Sequence, residues 1–209
     1  NKGRVPSSTL SNSHNPSKFP DAKEPGDKVF QISCVLSREG GSPDDYRPYL
    51  LTLGDPDPCI VGEGVVIRKF KTEHNLLLGF KDLIRETNPN IIMGYNILGF
   101  DIPYLIDRSK EVCMCFSEFS KQGFHKYNMA NEKTIKWSSS AFKNQEFQYL
   151  DAEGRLFVDL LPLVRNNFKM NNYKLKTVSE YFIGETKDPL SVAGIFKCYR
   201  VGTTQNPDG

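Results

Sequence analysis

In the first half of the chain, short apolar runs are separated by turn-rich segments, and one segment shows a helical period. Residues 28–36 form an apolar, β-branched run between glycine-containing turns, which predicts a strand buried on both faces. Between positions 73 and 86 the apolar residues recur every third or fourth position, which predicts an amphipathic helix. The apolar residues of this helix are Leu76, Leu77, Phe80, Leu83 and Ile84.

The rest of the pattern predicts strands followed by strand–helix alternation. Residues 1–27 are rich in Ser, Asn, Pro and Lys, which predicts a loop or a disordered segment. A hairpin is predicted with arms at 133–137 and 146–150. Further strands are predicted over 49–53, 64–70, 91–93 and 155–159, and helices over 102–109, 160–168 and 174–182, the last ended by Gly184. This order favours an α/β fold with a mixed sheet.

Composition narrows the class of protein. The chain is 38% hydrophobic and 25% charged, as is typical of soluble globular proteins, and it carries a net charge of only +2. Any contact with nucleic acid is therefore predicted to be local. No apolar run approaches the roughly 20 residues that span a bilayer, so no membrane is predicted as a partner.

The cysteines and the chain ends carry two further predictions. The five cysteines are irregularly spaced, and the Cys113–Cys115 pair has no second pair at zinc-like spacing. Reduced thiols in an intracellular compartment are therefore predicted rather than a structural metal. The chain starts at Asn1 and ends in a turn-like Asn-Pro-Asp-Gly, so we expect an internal fragment of a longer protein.

The stretch with the most chemical content is 90–105. Three apolar residues run into a Gly-Tyr-Asn turn, and Asp101 then precedes Pro103. Asp is a preferred N-cap and Pro fits the first helical turn, which predicts a strand–turn–helix unit with Asp101 at the start of the helix. A carboxylate in this position can cap the helix, bind a divalent cation or face water. The residues alone make capping the commonest of these roles.

A metal site that hydrolyses phosphodiesters needs several carboxylates around ions about 3.5–4 Å apart. Two other aspartates are candidates for such a role. Asp107 lies in the helix after Asp101, near its opposite face, and is predicted to be solvated. Asp159 ends a predicted strand and begins a helix, which again favours capping. The residues alone therefore do not predict a complete metal site.

The residues Asn96, Phe100 and Asp101 fill the positions of Asn-x-x-x-Phe-Asp, the second exonuclease motif of family B DNA polymerases. The longer segment over 88–105 resembles the corresponding segment of DNA polymerase delta and its viral relatives. Flanking segments also agree in order and spacing over roughly 19–190. The sequences of these segments are most similar to those of the polymerases of large eukaryotic DNA viruses.

This resemblance implies a ribonuclease H-like α/β exonuclease domain with a mixed sheet, incomplete at both ends. It divides the chain into a loop at 1–27, a partial 3′→5′ exonuclease domain at 28–190 and a truncated loop at 191–209. The family's first motif, Asp-x-Glu, is expected before position 19, but residues 1–18 contain no Asp or Glu. The third motif, Tyr-x-x-x-Asp, and the polymerase motifs are absent as well. The fragment alone is therefore expected to be inactive.

The resemblance also implies a function for the longer parent protein. It is expected to be a DNA-directed DNA polymerase that acts in DNA replication and removes mispaired nucleotides by two-metal hydrolysis. Asp101 would be a catalytic ligand of Mg²⁺, and Asn96 and Phe100 would shape the cleft for the frayed single-stranded 3′ end of a primer–template. Deoxynucleoside triphosphates and a processivity factor are further expected partners. The expected location is the nucleus or a cytoplasmic replication site of a host cell.

Several alternatives stay open at this stage. The protein could be a free-standing 3′→5′ exonuclease, or a catalytically inactive DNA-binding module of the same fold. Phe100 could serve core packing and Asn96 could be a turn residue, whereas Tyr95 and Tyr104 are predicted to be core. The predicted hairpin could separate DNA strands or be a solvated basic loop, and the side chains concerned are Trp137, Lys133, Lys136 and Lys143.

Overall fold

The computed structural model describes residues 20–56, 62–112, 131–139, 142–185, 194–195 and 197–199. Its first three strands form one sheet: β1 (Gln31–Leu36), β2 (Arg47–Leu53) and β3 (Val66–Phe70). β2 lies in the middle, antiparallel to β1, with Cys34 opposite Tyr49, and parallel to β3. The predicted mixed sheet is thus confirmed.

The prediction that the first strand is buried on both faces is wrong. Exposed and half-buried residues alternate along β1, and Val35 is 64% exposed. Ile32 and Cys34 point to the other face and pack against the core. A strand with one face on the core alternates in this way, and the apolar run in the sequence concealed the alternation because Val35 is also apolar.

Helix α1 (Glu73–Thr87) agrees closely with the predicted helix over 73–86. The Thr72 side chain accepts a hydrogen bond from the Asn75 amide at 3.2 Å, which caps the first turn. Asn88 ends the helix in the left-handed region at φ 46°. All of its predicted apolar residues are buried, and the helix packs on β2 and β3.

The remaining elements follow the predicted order with bounds that differ by a few residues. They are β4 (Ile91–Gly94), a π-helical turn (Ile97–Asp101), α2 (Ile102–Glu111), β5 (Asn131–Ser139), β6 (Phe142–Asp151), β7 (Leu156–Asp159), α3 (Leu160–Asn167) and α4 (Leu175–Ile183). β5 and β6 form the predicted antiparallel hairpin. β4 and β7 pair in parallel with Gly94 opposite Asp159, so the carboxyl ends of the two strands lie side by side.

One hydrophobic core lies between the first sheet, α1, α2 and the end of β6. Its buried residues are Leu51, Leu76, Leu77, Phe80, Leu83, Ile84, Ile102, Ile106, Leu150 and Ala152. Helix α4 buries Val178 but leaves several apolar side chains exposed. In the part of the chain that the structure describes, no helix is both long and apolar enough to cross a membrane.

A buried ion pair joins α1, α2 and the segment before β1. The Arg108 guanidinium pairs with the Glu73 carboxylate, and both side chains are almost fully buried. Arg108 also donates to the carbonyls of Ala22 at 2.8 Å and Glu24 at 3.0 Å, and Glu73 accepts from the Val29 amide at 2.7 Å. Both charged groups are thus paired with each other and hydrogen-bonded to the backbone, which offsets the cost of removing them from water.

The two terminal segments are described only in part. Residues 20–27, within the predicted loop at 1–27, form turns. Within 191–209, also predicted as loop, residues 194–195 and 197–199 have helical backbone. The ring of Tyr199 stacks on Phe30 with the ring centroids 4.5 Å apart. The other residues of both segments lie outside the described part, so these domain boundaries stay predictions.

Candidate functional site

The turn after β4 is built around Asn96. Its backbone has φ 62° and ψ 25°, in the left-handed region that Asn tolerates better than most residues. The Asn96 carbonyl accepts hydrogen bonds from the amides of Gly99 at 3.2 Å and Phe100 at 3.0 Å. Asn96 is therefore a turn residue, as one of the alternatives predicted, and it begins the π-helical turn that carries Phe100 and Asp101.

Two glycines permit the tight course of this turn. A Cβ at Gly94 would collide with the side chain of Ile97. A Cβ at Gly99 would lie 2.5 Å from Asn96 Oδ1, so the Asn96 side chain lies directly over Gly99. The side chain of Asn96 makes no capping hydrogen bond. Close packing therefore fixes the position of its amide group beside the turn.

The carboxylate of Asp159 lies behind the turn and is 7% exposed. Its Oδ1 accepts from the Leu161 amide at 2.9 Å, which caps α3 as predicted. The same oxygen accepts from the Asn96 amide at 2.8 Å, and Oδ2 accepts from the Leu98 amide at 3.0 Å. Sequence reasoning did not find this link, because it depends on the pairing of β4 with β7.

The prediction that Asp101 caps α2 is wrong. Its backbone is already helical, at φ −63° and ψ −50°, and its side chain makes no capping hydrogen bond. The π-helical turn runs directly into α2, and the Ile102 amide donates to the Ile97 carbonyl. Because the turn supplies carbonyl acceptors at this helix start, the Asp101 carboxylate is not needed as a cap and remains exposed.

The surroundings of Asp101 shift the pKa of its carboxyl group. Although the residue is exposed overall, protein atoms around its carboxyl group displace part of the surrounding water and raise the pKa of Asp101 above its ordinary value. Its own backbone amide lowers the pKa, and the negative charge of Asp159 raises it. A cation beside Asp101 would stabilise its ionised form against both the loss of water and the negative charge of Asp159.

Asp107 is half-exposed and lies 3.7 Å from the Lys110 amine, as predicted for a solvated residue.

Aromatic rings surround the turn and are half-buried. The rings of Phe100 and Tyr104 lie with centroids 5.5 Å apart. The hydroxyl of Tyr104 donates to the Asp27 carbonyl and that of Tyr95 donates to the Tyr173 carbonyl, both at 2.6 Å. Burial raises the pKa of Tyr104 to about 12 and raises the pKa of Tyr95. Both tyrosines are thus bonded within the protein, but they are half-buried and outside the hydrophobic core, whereas the sequence predicted core positions.

Few side chains in the described part of the chain are placed so that they could bind a metal ion. No three His, Cys, Asp or Glu side chains there are grouped so that they could hold a metal ion together. Asp101 offers an exposed carboxylate, whereas both oxygens of Asp159 already accept backbone hydrogen bonds. Cys113 and Cys115 lie outside the described residues.

The described part of the hairpin does not test its predicted role in separating DNA strands. The amine of Lys133 forms an exposed ion pair with Asp151, and the Lys136 side chain is exposed. The side chains of Trp137 and Lys143 lie outside the described part. Strand separation by this hairpin therefore stays a prediction.

Comparison with known proteins identifies the class to which this arrangement belongs. The sequence profile of DNA polymerase family B, exonuclease domain, matches residues 9–178. The chain therefore belongs to the family B DNA polymerases, through their exonuclease domain, and the resemblance carried by Asn96, Phe100 and Asp101 is confirmed at the level of the family.

Individual relatives are viral and cellular DNA polymerases. DNA polymerase 120R of Invertebrate iridescent virus 3 is 56% identical over 185 residues, which are 88% of this chain and 16% of the relative. DNA polymerase 037L of Invertebrate iridescent virus 6 is 40% identical over 195 residues, 88% of this chain and 15% of the relative. The DNA polymerase delta catalytic subunit of Glycine max is 32% identical over 164 residues, 78% of this chain and 14% of the relative. The chain thus spans 14–16% of the length of these relatives.

Proposed function

We propose that this chain is part of the proofreading 3′→5′ exonuclease domain of a replicative DNA polymerase, with Asp101 as a ligand of the catalytic metal. The observation that carries the proposal is the exposed Asp101 carboxylate, which makes no capping hydrogen bond although it stands at a helix start. An aspartate in that position is available for a cation. The family match over residues 9–178 supports this assignment.

The architecture supports a ribonuclease H-like fold for the domain. The first sheet is mixed and is covered by α1, and β4 is followed directly by the turn and α2. The parallel pairing of β4 with β7 brings two strand ends together at the turn that carries Asp101. Sites at the carboxyl ends of parallel strands are common in α/β proteins.

Magnesium is the proposed cofactor, and Asp101 fits it by chemistry because carboxylate oxygen is a preferred ligand of Mg²⁺. When bound, two such ions would activate water and stabilise the leaving 3′ oxygen. The described residues contain no cluster of three metal-ligating side chains, so Asp101 is proposed as one ligand among several. Asp101 would supply one carboxylate ligand to such an ion.

The proposed substrate is the frayed 3′ end of a primer–template. Phe100 is half-buried beside Asp101, and its ring offers a surface on which a base or sugar packs. Asn96 lies one turn earlier, with its amide group fixed over Gly99. In the intact polymerase, deoxynucleoside triphosphates and a processivity factor are the further proposed partners, and the proposed location is a nuclear or cytoplasmic replication site.

The test compares Asp101→Ala with Asp107→Ala in the full-length polymerase. Asp101 directly precedes α2 and Asp107 lies within α2, so both changes remove a carboxylate from the same short segment, but only Asp101 is a proposed ligand. We expect Asp101→Ala to lower the removal of a mismatched 3′ nucleotide by orders of magnitude, with nucleotide incorporation preserved, because the metal site is separate from the polymerase site. Asp107→Ala is expected to leave both activities unchanged.

Two outcomes contradict the proposal. Trimming of the mismatch by Asp101→Ala at a near wild-type rate, in saturating magnesium, would show that Asp101 is not a ligand and would favour an inactive DNA-binding module. Equal loss of incorporation and trimming would show that the substitution disrupts the domain instead. The relatives named above are all DNA polymerases, which favours a polymerase over a free-standing exonuclease.

A further inference from the structure

We infer that Asp159 is a positioning residue of this exonuclease site: its buried carboxylate fixes the backbone of the turn that presents Asp101. The inference rests on the proposed function of Asp101. The Asp159 side chain is almost fully buried, and it acts on the site through its hydrogen bonds to the amides of Asn96 and Leu98.

The hydrogen bonds of Asp159 reach both sides of the site. On one side it accepts from Leu161 at the start of α3, and on the other it accepts from Asn96 and Leu98. The two turn amides are bound by different carboxylate oxygens, Asn96 by Oδ1 and Leu98 by Oδ2. A single ionised side chain therefore fixes two amides of the turn and one of the next helix, and charge-assisted hydrogen bonds of this kind are stronger than neutral ones.

The turn needs such support because Asn96 adopts a left-handed backbone conformation. For residues other than glycine this region is sparsely populated, and it persists where surrounding contacts determine it. Asp159 binds the amide of Asn96 itself and the amide two residues later. From there the backbone continues without a break through the π-helical turn to Asp101. Rotation of the turn at Asn96 would therefore move the Asp101 carboxylate.

Asp159 is unsuited to binding a metal directly. It is 7% exposed, and each of its oxygens already accepts at least one backbone hydrogen bond. A cation at these oxygens would have to displace the turn amides. Positioning through the backbone is thus the role that its geometry favours.

The substitution Asp159→Asn separates positioning from helix capping. Asn is as good an N-cap as Asp, so its side-chain oxygen can still accept from Leu161 and Asn96. Its NH₂ group would replace Oδ2 and face the Leu98 amide, where two donors meet and no hydrogen bond forms. The variant therefore keeps the cap of α3 and disturbs the turn. Thr72→Ala is the matched control, because it removes a side-chain cap from α1 without touching the turn.

The experiment uses the full-length polymerase with a mismatched primer–template and saturating magnesium. We expect Asp159→Asn to lower the exonuclease kcat by about 10–100-fold, the usual effect of losing a partner that orients a ligand, with nucleotide incorporation unchanged. Hydrogen–deuterium exchange is expected to increase in peptides that cover 94–101, and not in peptides from α3. Thr72→Ala is expected to keep the wild-type exonuclease rate.

Three results would overturn the inference. One is a wild-type exonuclease rate for Asp159→Asn. Another is a lower rate with unchanged exchange at 94–101, which would show that Asp159 acts without positioning the turn. The third is a parallel loss of incorporation and melting temperature, which would show a general structural role. Asp101→Ala, measured alongside, separates the two proposals: trimming that survives Asp101→Ala contradicts the proposed function, whereas trimming lost in Asp101→Ala but kept in Asp159→Asn contradicts only the positioning role.

Discussion

The two halves of this structure bury their apolar residues to very different extents. In the packed half, formed by the first sheet, α1 and α2, the apolar stripe of α1 is buried and the ion pair of Glu73 with Arg108 is almost inaccessible to water. In the helical pair, α3 and α4, Tyr181 is 66% exposed and Ile183 is 69% exposed. The difference predicts that stability is concentrated in the packed half. The candidate site lies between the two, at Asp159 and the turn after β4.

The largest effect on stability is expected from Arg108→Ala. It leaves the Glu73 carboxylate buried without its partner, and breaking a buried pair in this way typically costs about 3–5 kcal/mol. Urea denaturation of the chain measures the free energy of unfolding. Lys110→Ala is the control, since the Lys110–Asp107 pair is exposed and such pairs contribute about 0–1 kcal/mol. Similar losses for both variants would mean that the buried pair does not distinguish the packed half.

Matched truncations of a large side chain compare the two halves directly. Leu77→Ala removes a fully buried side chain and is expected to destabilise the chain by about 2–5 kcal/mol. Tyr181→Ala removes a larger but exposed side chain whose ring contacts Phe168 and Phe182, and we expect a loss of about 0.5–1.5 kcal/mol. The same denaturation measurement serves both. A loss of several kcal/mol for Tyr181→Ala would show that α4 is packed more tightly than its exposure indicates.

The smallest effect concerns thiol reactivity. Burial raises the pKa of Cys34, on the core face of β1, to about 11, whereas Cys198 is exposed. Because the thiolate is the reactive form, iodoacetamide at pH 8 is expected to modify Cys198 well before Cys34, with the rate at Cys34 rising as the pH approaches 11. Mass spectrometry of the folded protein after timed labelling measures both rates. Equal rates at pH 8 would mean that water reaches the core face of β1.

Features that depend on local sequence were predictable. The period of apolar residues at 73–86 defined α1 and its buried face, since a helix that packs on a sheet must place them on one side. The sequence around Asn96 and Asp101 was recognisable as a family motif, and the family match confirms the family. Both arms of the predicted hairpin were also found, because a polar, serine-rich tip between two strand-like segments is a local signal.

Features that depend on packing between distant segments were not predictable. The capping role predicted for Asp101 was wrong because a π-helical turn precedes α2, and residue preferences do not reveal how the preceding backbone approaches a helix. The link from Asp159 to Asn96 and Leu98 arises only when β7 pairs with β4. The exposed face of β1 was concealed because apolar residues occupy both of its faces.

The bond between Asp159 and Asn96 has a consequence for the order of folding. The two residues are 63 positions apart, and parallel strands cannot pair until the whole intervening segment has been made. At synthesis rates of about 5–20 residues per second, the turn that carries Asp101 leaves the ribosome about 3–13 seconds before its stabilising partner. During that interval the left-handed conformation at Asn96 lacks the carboxylate of Asp159. The conformation seen in this turn is therefore expected to form late in folding, after α1 and the first sheet have had time to form.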